Sequence, residues 1–355
     1  MATPIFEFTD VFARTMGETS DVVNKEMYSF NDRGDESITL RPEFTAGIVR
    51  ALISNGLQQN LPLKLFTTGP VFRYERPQKG RQRQFHQLNC EFFGNPSPIA
   101  DVEVILMAAD LLKALGIEAE LHINSLGDVG SRAAHREALV AYFSKYKNDL
   151  SDDSKVRLEK NPLRILDSKD EGDKKLSVDA PKLADSLNEE SKKFFDEVVN
   201  SLATSNQQLT TNPNLVRGLD YYNHTVFEFK SSSLGAQDTI LAGGRYDGLV
   251  TQMGGSPTPA VGWGAGIERL MLLSEIAPKN REITVVILED KSAALDIAQK
   301  LRAQGKTVEI AQQNNIGKAL KKADNIGASF AILHNNEGKL VERNLKTGEQ
   351  KEISL

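Results

Sequence analysis

The segment that most constrains this fold is Val71–Gly94, which is predicted to form a strand, a charged loop and a second strand. Aromatic and β-branched residues dominate Phe66–Tyr74, and the Pro-Gln-Lys-Gly sequence at 77–80 interrupts that pattern. An alternating pattern resumes at Gln84–Phe93. The segment therefore predicts a β-hairpin with a charged tip.

The tip of this hairpin is strongly basic. Between Arg73 and Arg83 the sequence has five cations and one anion, Glu75. Because a guanidinium group is a planar fork that matches phosphate oxygens two at a time, such a tip suits a polyphosphate. Alternation on the returning strand puts four further side chains on one face, namely Phe85, Gln87, Asn89 and Glu91. The alternative is a solvated basic hairpin that binds nothing.

Composition limits the class of protein. The 355 residues are enough for two or three domains, and 40% hydrophobic with 26% charged residues is typical of soluble globular proteins. A single cysteine, Cys90, excludes an intramolecular disulfide and a multi-cysteine zinc site. No apolar run is long enough for a bilayer, and no signal-peptide pattern is present. We expect a cytoplasmic protein without a membrane partner or a structural metal. With a net charge of -5, a nucleic-acid partner would need local basic patches.

Several motifs, in a consistent order, resemble those of one family. Residues 75–91, ERPQKGRQRQFHQLNCE, are similar to motif 2 of class II aminoacyl-tRNA synthetases, and specifically to that of histidyl-tRNA synthetases. Leu40–Thr45 resembles the amino-acid-binding loop of that family, and Arg217–Tyr222 (RGLDYY) its second signature. Ala242–Leu249 is similar to the glycine-rich stretch beside the histidine pocket, and Pro259–Leu270 to class II motif 3.

The resemblance implies an α+β fold in which helices flank the antiparallel sheet of class II synthetases. It implies a catalytic domain whose first part is residues 1–127 and whose second part is 213–275, separated by a mainly helical insertion at 128–212. Whether that insertion contacts the tRNA acceptor end or is a solvated lid stays open. Residues 282–355 alternate strands and helices and resemble the anticodon-binding α/β domain of the family.

For histidine, the resemblance implies a pocket assembled from all of these motifs. Its expected residues are Glu43, Phe44, Thr45, Arg73, Gln87, Glu91, Arg217, Tyr221, Tyr222 and Tyr246. Glu91 and Tyr222 would bind the imidazole ring. The family often has glycine where this chain has Phe44.

For ATP, the resemblance implies a second and overlapping set of residues. Its members are Arg73, Glu75, Arg81, Arg83, Phe85 and Arg269. The expected catalytic residues are Arg73 and Arg217, because the arginine of RGLDYY neutralises the α-phosphate and the histidine carboxylate in the family. Arg81 or Arg83, with Arg269, would hold the β- and γ-phosphates, and Mg²⁺ would help to neutralise the pyrophosphate.

The stretch after Asp220 is predicted to be a strand because its residues alternate. In such a strand Tyr221 and Tyr222 would point to opposite faces of the sheet. One face would hold Tyr222, His224, Val226 and Glu228. We expect His224 to be a polar strand residue without a role in the site.

The resemblance implies a histidine–tRNA ligase that activates L-histidine with ATP and transfers it to tRNA(His), with a homodimer expected for the full-length protein. The chain begins near the expected end of motif 1 and lacks the final helix of the family, so we expect a truncated form. Two alternatives stay open. One is a non-catalytic, histidine-binding regulatory paralogue of ATP phosphoribosyltransferase, and the other is a non-catalytic tRNA-sensing domain. The retention of Arg73, Arg81, Arg217 and Arg269 argues against both.

Overall fold

The basic hairpin predicted from the sequence joins Leu63–Phe72 to Gln84–Phe93 and forms one edge of a seven-stranded sheet. The computed structural model describes residues 1–16, 22–78, 80–166, 168–215, 221–234, 238–276, 282–313 and 315–354. The strands are β1 (Phe6–Phe8), β2 (Tyr28–Asn31), β3 (Ser37–Leu40), β4 (Leu63–Phe72), β5 (Gln84–Phe93), β6 (Glu120–Ser125), β7 (Thr210–Thr211), β8 (Asn223–Lys230), β9 (Thr239–Arg245), β10 (Ala260–Gly266), β11 (Ile283–Val286), β12 (Thr307–Ile310), β13 (Phe330–His334), β14 (Leu340–Asn344) and β15 (Gln350–Glu352). The α-helices are α1 (Thr9–Met16), α2 (Thr45–Ser54), α3 (Pro98–Ala114), α4 (Val129–Ser144), α5 (Asp152–Lys160), α6 (Glu171–Ser177), α7 (Glu189–Thr204), α8 (Leu249–Gln252), α9 (Ile267–Leu273), α10 (Lys291–Ala303) and α11 (Ile316–Asn325).

The large sheet has the strand order β4-β5-β10-β9-β8-β6-β7. Its neighbours pair antiparallel, except β6 and β7, which are parallel. The predicted α+β class, with an antiparallel sheet flanked by helices, is confirmed. The order brings the motif 2 hairpin beside β10, so the strand predicted from motif 3 lies directly next to the returning strand of the hairpin.

Helix α3 covers the back of this sheet. It begins at Pro98 because Ser97 caps it, accepting the Ile99 N–H at 3.4 Å. Its apolar face packs on Phe92 and Trp263 in one hydrophobic cluster. The Trp263 indole N–H donates to the Val104 carbonyl at 3.1 Å, so the buried indole is satisfied.

Helix α2 belongs to a second cluster, on the side of the sheet where the site lies. Phe44, Ile48 and Leu52 pack there with Phe93 and Tyr246. Burying a side chain of this size contributes about 1.5–3 kcal/mol. The start of α2 is therefore fixed against the sheet, and with it the backbone around Glu43 and Thr45.

A separate three-stranded sheet precedes these elements, with the order β1-β3-β2. Phe8 and Phe30 both pair with Ile38, and Phe6 with Leu40, so these apolar side chains share one face. The other face has hydroxyl groups, which hydrogen-bond to one another.

The insertion contains α4 to α7 and has a hydrophobic cluster of its own, with the members Leu139, Phe143, Leu150, Leu158, Ile165 and Ala180. Each helix begins at a residue whose side chain accepts a backbone N–H, which is why the helices start where they do. These caps are Asp128, Ser151, Asp170 and Asn188.

The chain divides into two compact units, Met1–Ile276 and Ala277–Leu355. The second unit has the strand order β12-β11-β13-β14-β15, with parallel pairs around β11 and antiparallel pairs from β13 onward. No helix in the described ranges is both long and apolar enough to cross a membrane.

The prediction of a regular strand from Asp220 is wrong at its start. Asp220 itself lies outside the described residues, and β8 begins at Asn223. His224 has a φ of 44°, and the register with β9 shifts between Asn223 and Val226. Tyr221 and Tyr222 both precede β8, so strand alternation does not separate them, and they are neighbours in one cluster with ring centroids 4.6 Å apart.

Candidate active site

A cavity of about 570 Å³ lies on the α2 side of the large sheet, against β5, β9 and β10. Most of the residues singled out from the sequence line it. They are Glu43, Thr45, Arg73, Glu75, Arg81, Phe85, Gln87, Glu91, Tyr221, Tyr222, Tyr246 and Arg269. Strand alternation explains the contribution of β5, since Phe85, Gln87 and Glu91 are spaced by two.

Glu91 is a deeply buried carboxyl group, with 1% of its surface exposed. It accepts hydrogen bonds from the Thr45 hydroxyl, at 2.7 Å, and from the Tyr246 hydroxyl. Burial raises the pKa of Glu91 to about 8, and the nearby Glu43 adds to this, while the hydroxyl groups act in the opposite direction. The two hydroxyl groups fix the carboxyl in place, as is required of an acceptor that must recognise one ligand N–H.

Glu43 occupies the start of helix α2. Its carboxylate accepts the N–H of Thr45 at 2.6 Å and that of Ala46 at 2.7 Å. These are unpaired donors of the first helical turn, so the carboxylate acts as a cap. Burial raises the pKa of Glu43, although the two N–H bonds lower it.

Glycines on β10 make room for the polar side chains of β5. Gly262 pairs with Glu91 and Gly264 with Asn89 across the two strands. A Cβ atom at 262 would lie 1.7 Å from Glu91 Oε2, and one at 264 would lie 3.1 Å from Asn89 Nδ2. The small-residue pattern of motif 3 is therefore a steric requirement of the cavity.

Three tyrosines form an aromatic wall beside Glu91. The ring of Tyr221 lies 4.6 Å from that of Tyr222 and 5.6 Å from that of Tyr246, centroid to centroid. Burial raises the pKa of Tyr221 and of Tyr246 well above the ordinary value. Both hydroxyl groups thus keep their protons and can donate hydrogen bonds.

The basic part of the cavity comes from the hairpin. Arg73 Nε donates to the Pro42 carbonyl at 2.9 Å, and its guanidinium carbon lies 5.5 Å from the ring centroid of Phe85. Arg81 forms an ion pair with Glu75. Each arginine is therefore held in the cavity wall by a protein acceptor or an aromatic ring.

Arg269 completes this basic group from the other side of the cavity. Its Nε donates to the Gly80 carbonyl at 2.9 Å, and its Nη1 to the Thr239 carbonyl at 2.6 Å. Burial lowers the pKa of Arg269, and Arg81 and Arg73 act in the same direction. The three arginines are close enough for their positive charges to repel one another, so the site favours a multiply charged anion.

Two of the predicted site residues that the structure describes are not found in the cavity wall. Phe44 is 1% exposed and packs under the Arg41 guanidinium, whose carbon lies 4.2 Å from the ring centroid. Arg83 lies over the ring of Tyr74 at 4.2 Å. Arg217 is outside the described residues. The roles assigned to these three residues stay predictions.

The cavity also has lining residues that the sequence pattern did not single out for a role. They are Gly80, Gln82, Asn89, Lys169, Glu228, Asp238, Thr239, Ile240, Leu241, Ala242, Gly262, Trp263, Gly264, Gly266 and Glu268. Strand alternation pointed to Asn89 and Glu228 as facing residues. No local signal pointed to Lys169, because it lies in the insertion, far along the chain from every other lining residue.

A buried ion pair supports the cavity from behind. Arg245 Nη2 lies 2.6 Å from Asp101 Oδ2, and both side chains are fully buried. Arg245 also contacts Asp247 at 3.0 Å, and Asp247 accepts the Ala260 N–H. Because Arg245 directly precedes Tyr246, this network fixes the backbone from which the Tyr246 hydroxyl reaches Glu91.

The arrangement combines two chemistries in one cavity. One part holds buried carboxyl and hydroxyl groups that suit a small ligand with several N–H donors. The other holds clustered arginines that suit phosphate oxygens. Such a cavity can place an amino acid against a nucleotide phosphate, which is the geometry that phosphoryl-group chemistry requires.

Comparison with known proteins gives one consistent result. A family model described as histidyl-tRNA synthetase matches residues 1–270, and one described as an anticodon binding domain matches residues 278–355. The histidine–tRNA ligase of Rhodospirillum rubrum is 54% identical over 363 residues, which cover 99% of this chain and 88% of the relative. That of Gluconobacter oxydans is 54% identical, with 100% and 88% covered.

A solved structure is similar over the whole chain. The crystal structure of the apo histidyl-tRNA synthetase of S. aureus superposes with a TM-score of 0.81 at 35% sequence identity. The match covers 100% of this chain and 88% of the other.

Proposed function

The chain belongs to the histidyl-tRNA synthetase family, and from that premise we propose how its cavity activates L-histidine with ATP and transfers it to tRNA(His). The enzyme is an aminoacyl-tRNA ligase of class II. The observation that carries the proposal is the cavity itself, where buried Glu43 and Glu91 lie in the same space as Arg73, Arg81 and Arg269. Histidine and the triphosphate of ATP are the substrates whose charges match these two groups.

Histidine would bind at the buried carboxyl groups. We assign Glu91 and Tyr222 to the imidazole, with Tyr221 and Tyr246 forming the wall of that pocket. Glu43, Thr45 and Gln87 take the ammonium and carboxylate groups. Because imidazole has both a donor and an acceptor, polar partners at both of its nitrogens would reject an apolar isostere by ~10⁴ or more.

ATP would bind at the arginine cluster formed by Arg73, Arg81 and Arg269. We assign Arg73 and Arg217 to the α-phosphate, which the histidine carboxylate attacks to give histidyl-adenylate and pyrophosphate. Arg81 and Arg269 hold the leaving pyrophosphate, and their fixed donors need no rearrangement as charge develops. Phe85 would stack on adenine. Glu75, which forms an ion pair with Arg81, is assigned to the adenine amino group, and Arg83 stays an alternative to Arg81 at the phosphates.

The residues present fit an Mg²⁺ ion that is held mainly by the nucleotide. No group of three or more metal-ligating side chains occurs among the described residues, whereas Glu228 and Asp238 offer carboxylates in the cavity wall. Mg²⁺ in nucleotide sites takes one or two carboxylates and otherwise phosphate and water oxygens. Bound there, it would supply charge neutralisation to the pyrophosphate. Lys230 offsets part of the negative charge of these two carboxylates. Its Nζ lies 3.7 Å from Glu228 Oε2 and 3.3 Å from Asp238 Oδ2.

We propose that the second unit binds the anticodon of tRNA(His). The support is the anticodon-binding family model together with Lys318, Lys321 and Lys322, which lie on α11. Lysines on one helix give the local basic surface that a protein of net charge -5 needs in order to bind RNA. We place the reaction in the cytoplasm, where its three substrates meet.

We further propose that the active enzyme is a homodimer. The support is the apolar face of the small sheet, where Phe6, Phe8 and Phe30 are 53%, 57% and 49% exposed. Aromatic side chains aligned on one sheet face are typical of a surface that a second subunit covers. Sedimentation equilibrium of the wild type and of Phe8→Lys tests this, since the charge should shift the protein to a monomer.

Aminoacylation of a tRNA(His) transcript with labelled histidine tests the overall proposal. We expect transfer that needs ATP and that fails with a transcript of another tRNA. Histidine binding without any transfer, in a protein shown to bind the transcript, would contradict the proposal and would instead fit a histidine-binding regulator.

A further inference from the structure

Lys169 is the residue from the insertion that lines the cavity, among the residues that the structure describes. All the other lining residues come from the catalytic parts of the chain. The residue lies between a short 3₁₀ helix, Pro162–Ile165, and α6. The insertion, which has its own hydrophobic cluster, therefore extends a single cation to the edge of the substrate site.

The backbone on the N-terminal side of Lys169 is fixed by a buried carboxylate. Asp173 accepts hydrogen bonds from the hydroxyl groups of Ser151 at 2.7 Å, Ser154 at 2.6 Å and Ser168 at 2.7 Å. Burial opposes ionisation, but these bonds prevail and lower the pKa of Asp173 to about 2. The residue directly before Lys169 is thus tied to the core of the insertion.

The other side of Lys169 is fixed by a helix cap. The Asp170 carboxylate accepts the N–H groups of Gly172 at 2.8 Å and Asp173 at 3.1 Å at the start of α6. The Asp170 N–H in turn donates to the Ser168 hydroxyl at 3.3 Å. Hydrogen bonds therefore hold the backbone of this loop on both sides of Lys169.

The Lys169 ammonium has no hydrogen bond or ion pair with any residue in the described ranges. The cavity arginines differ, because Arg73, Arg81 and Arg269 all have protein partners. An ammonium group is a point charge on a flexible stem with three donors, and it can follow an anion over several ångströms. A cation in this position is available to a ligand at little structural cost.

We propose that Lys169 binds a phosphate group of a substrate and so makes the insertion part of the active site. The inference rests on the proposed function, since that function supplies the phosphates. Two substrates bring a phosphate to the cavity, namely the triphosphate of ATP and the backbone at the 3′ end of tRNA. Where that phosphate belongs to ATP, the lysine and the arginines bind the same anion, so the position of the insertion depends on whether the nucleotide is bound.

Equilibrium binding tests this without relying on turnover. Lys169→Met keeps the length of the side chain and removes its charge, and Lys175→Met makes the same change at an exposed position of α6 outside the cavity. A hydrogen bond to a charged group contributes about 1.5–3 kcal/mol, which corresponds to a ~10- to ~150-fold weaker Kd. Lys169→Arg should restore most of the loss.

The probes are Mg-ATP and a tRNA(His) transcript, each titrated against the full chain at two salt concentrations. A ~10-fold or greater rise in the Kd of Mg-ATP alone assigns Lys169 to the nucleotide, and a rise for the transcript alone assigns it to the tRNA. Either result supports the proposal, provided that Lys175→Met stays within about twofold of the wild type. Unchanged Kd values for both probes in Lys169→Met would overturn it, whether or not the wild type aminoacylates.

Discussion

Replacing Glu91 by glutamine removes the buried carboxyl group of the histidine pocket while keeping its size. The pKa of Glu91 is raised to about 8, mainly by burial. In the folded protein the carboxyl therefore keeps its proton over a pH range in which the unfolded chain has lost it. Stability should fall as pH rises through that range, because the folded state binds more protons than the unfolded one.

The size of this effect follows from proton linkage. A difference of one bound proton between the folded and the unfolded chain changes the free energy of unfolding by about 1.4 kcal/mol per pH unit. Between pH ~5 and pH ~8, Glu91 should therefore lower the free energy of unfolding by on the order of 4 kcal/mol. The contribution is fully present below the ordinary pKa of a glutamate and is lost as pH passes the folded value. Glu91→Gln, which cannot ionise, should lack this part of the slope.

Histidine binding should change in the same variant. Above pH ~8, where Glu91 is ionised, the variant puts a neutral amide in place of a carboxylate acceptor. The loss of a charge-assisted hydrogen bond of about 1.5–3 kcal/mol then raises the KM for histidine ~10- to ~150-fold. The KM for ATP should change by less than about threefold, because the basic group is untouched.

Urea unfolding at several pH values and histidine-dependent exchange kinetics measure the two effects. Glu120→Gln, at an exposed position, is the matched control. Parallel stability–pH curves for the wild type and Glu91→Gln would show that Glu91 is not a buried carboxyl with a raised pKa, and an unchanged KM for histidine would remove it from the pocket.

Three further substitutions have defined outcomes. Arg217→Ala should reduce ATP–pyrophosphate exchange by ~10²- to ~10³-fold while histidine binding, measured by calorimetry, persists, and near-normal exchange would remove its assigned role. Gly262→Ala puts a methyl group 1.7 Å from Glu91 Oε2 and should cost about 1–3 kcal/mol together with a higher KM for histidine, whereas an unchanged KM would mean that the pocket has spare room. Arg245→Met leaves the Asp101 carboxyl buried without its partner and should lower the free energy of unfolding by about 3–5 kcal/mol, with a result below 1 kcal/mol contradicting the role of the pair.

The sheet and most of the cavity were predictable because their signals are local. Strand alternation alone places Phe85, Gln87 and Glu91 on one face, and the proline and glycine of the hairpin loop separate its two strands. The resemblance to known motifs then brought distant segments such as Glu43 and Arg269 into the same site, which no periodicity could have done. The cavity wall contains both.

The remaining features depend on tertiary structure. The bulge at His224 changes the start of β8, since a residue with positive φ gives no signal in an alternating pattern. The position of Phe44 depends on packing against Arg41, which lies beside it only after the α2 cluster has formed. Lys169 lies at the cavity because of how the insertion folds. Its neighbours in sequence have the charged composition of an ordinary exposed segment and give no signal of a site.

Histidine-dependent ATP–pyrophosphate exchange measures the activation of histidine alone and requires no tRNA. The assay would compare histidine with the other amino acids at saturating Mg-ATP. We expect exchange with histidine and at least ~10⁴-fold less with an amino acid that has an apolar side chain of similar size. Exchange that is independent of histidine, or that proceeds equally with such an apolar analogue, would contradict the assignment of Glu91 and its tyrosines to the imidazole.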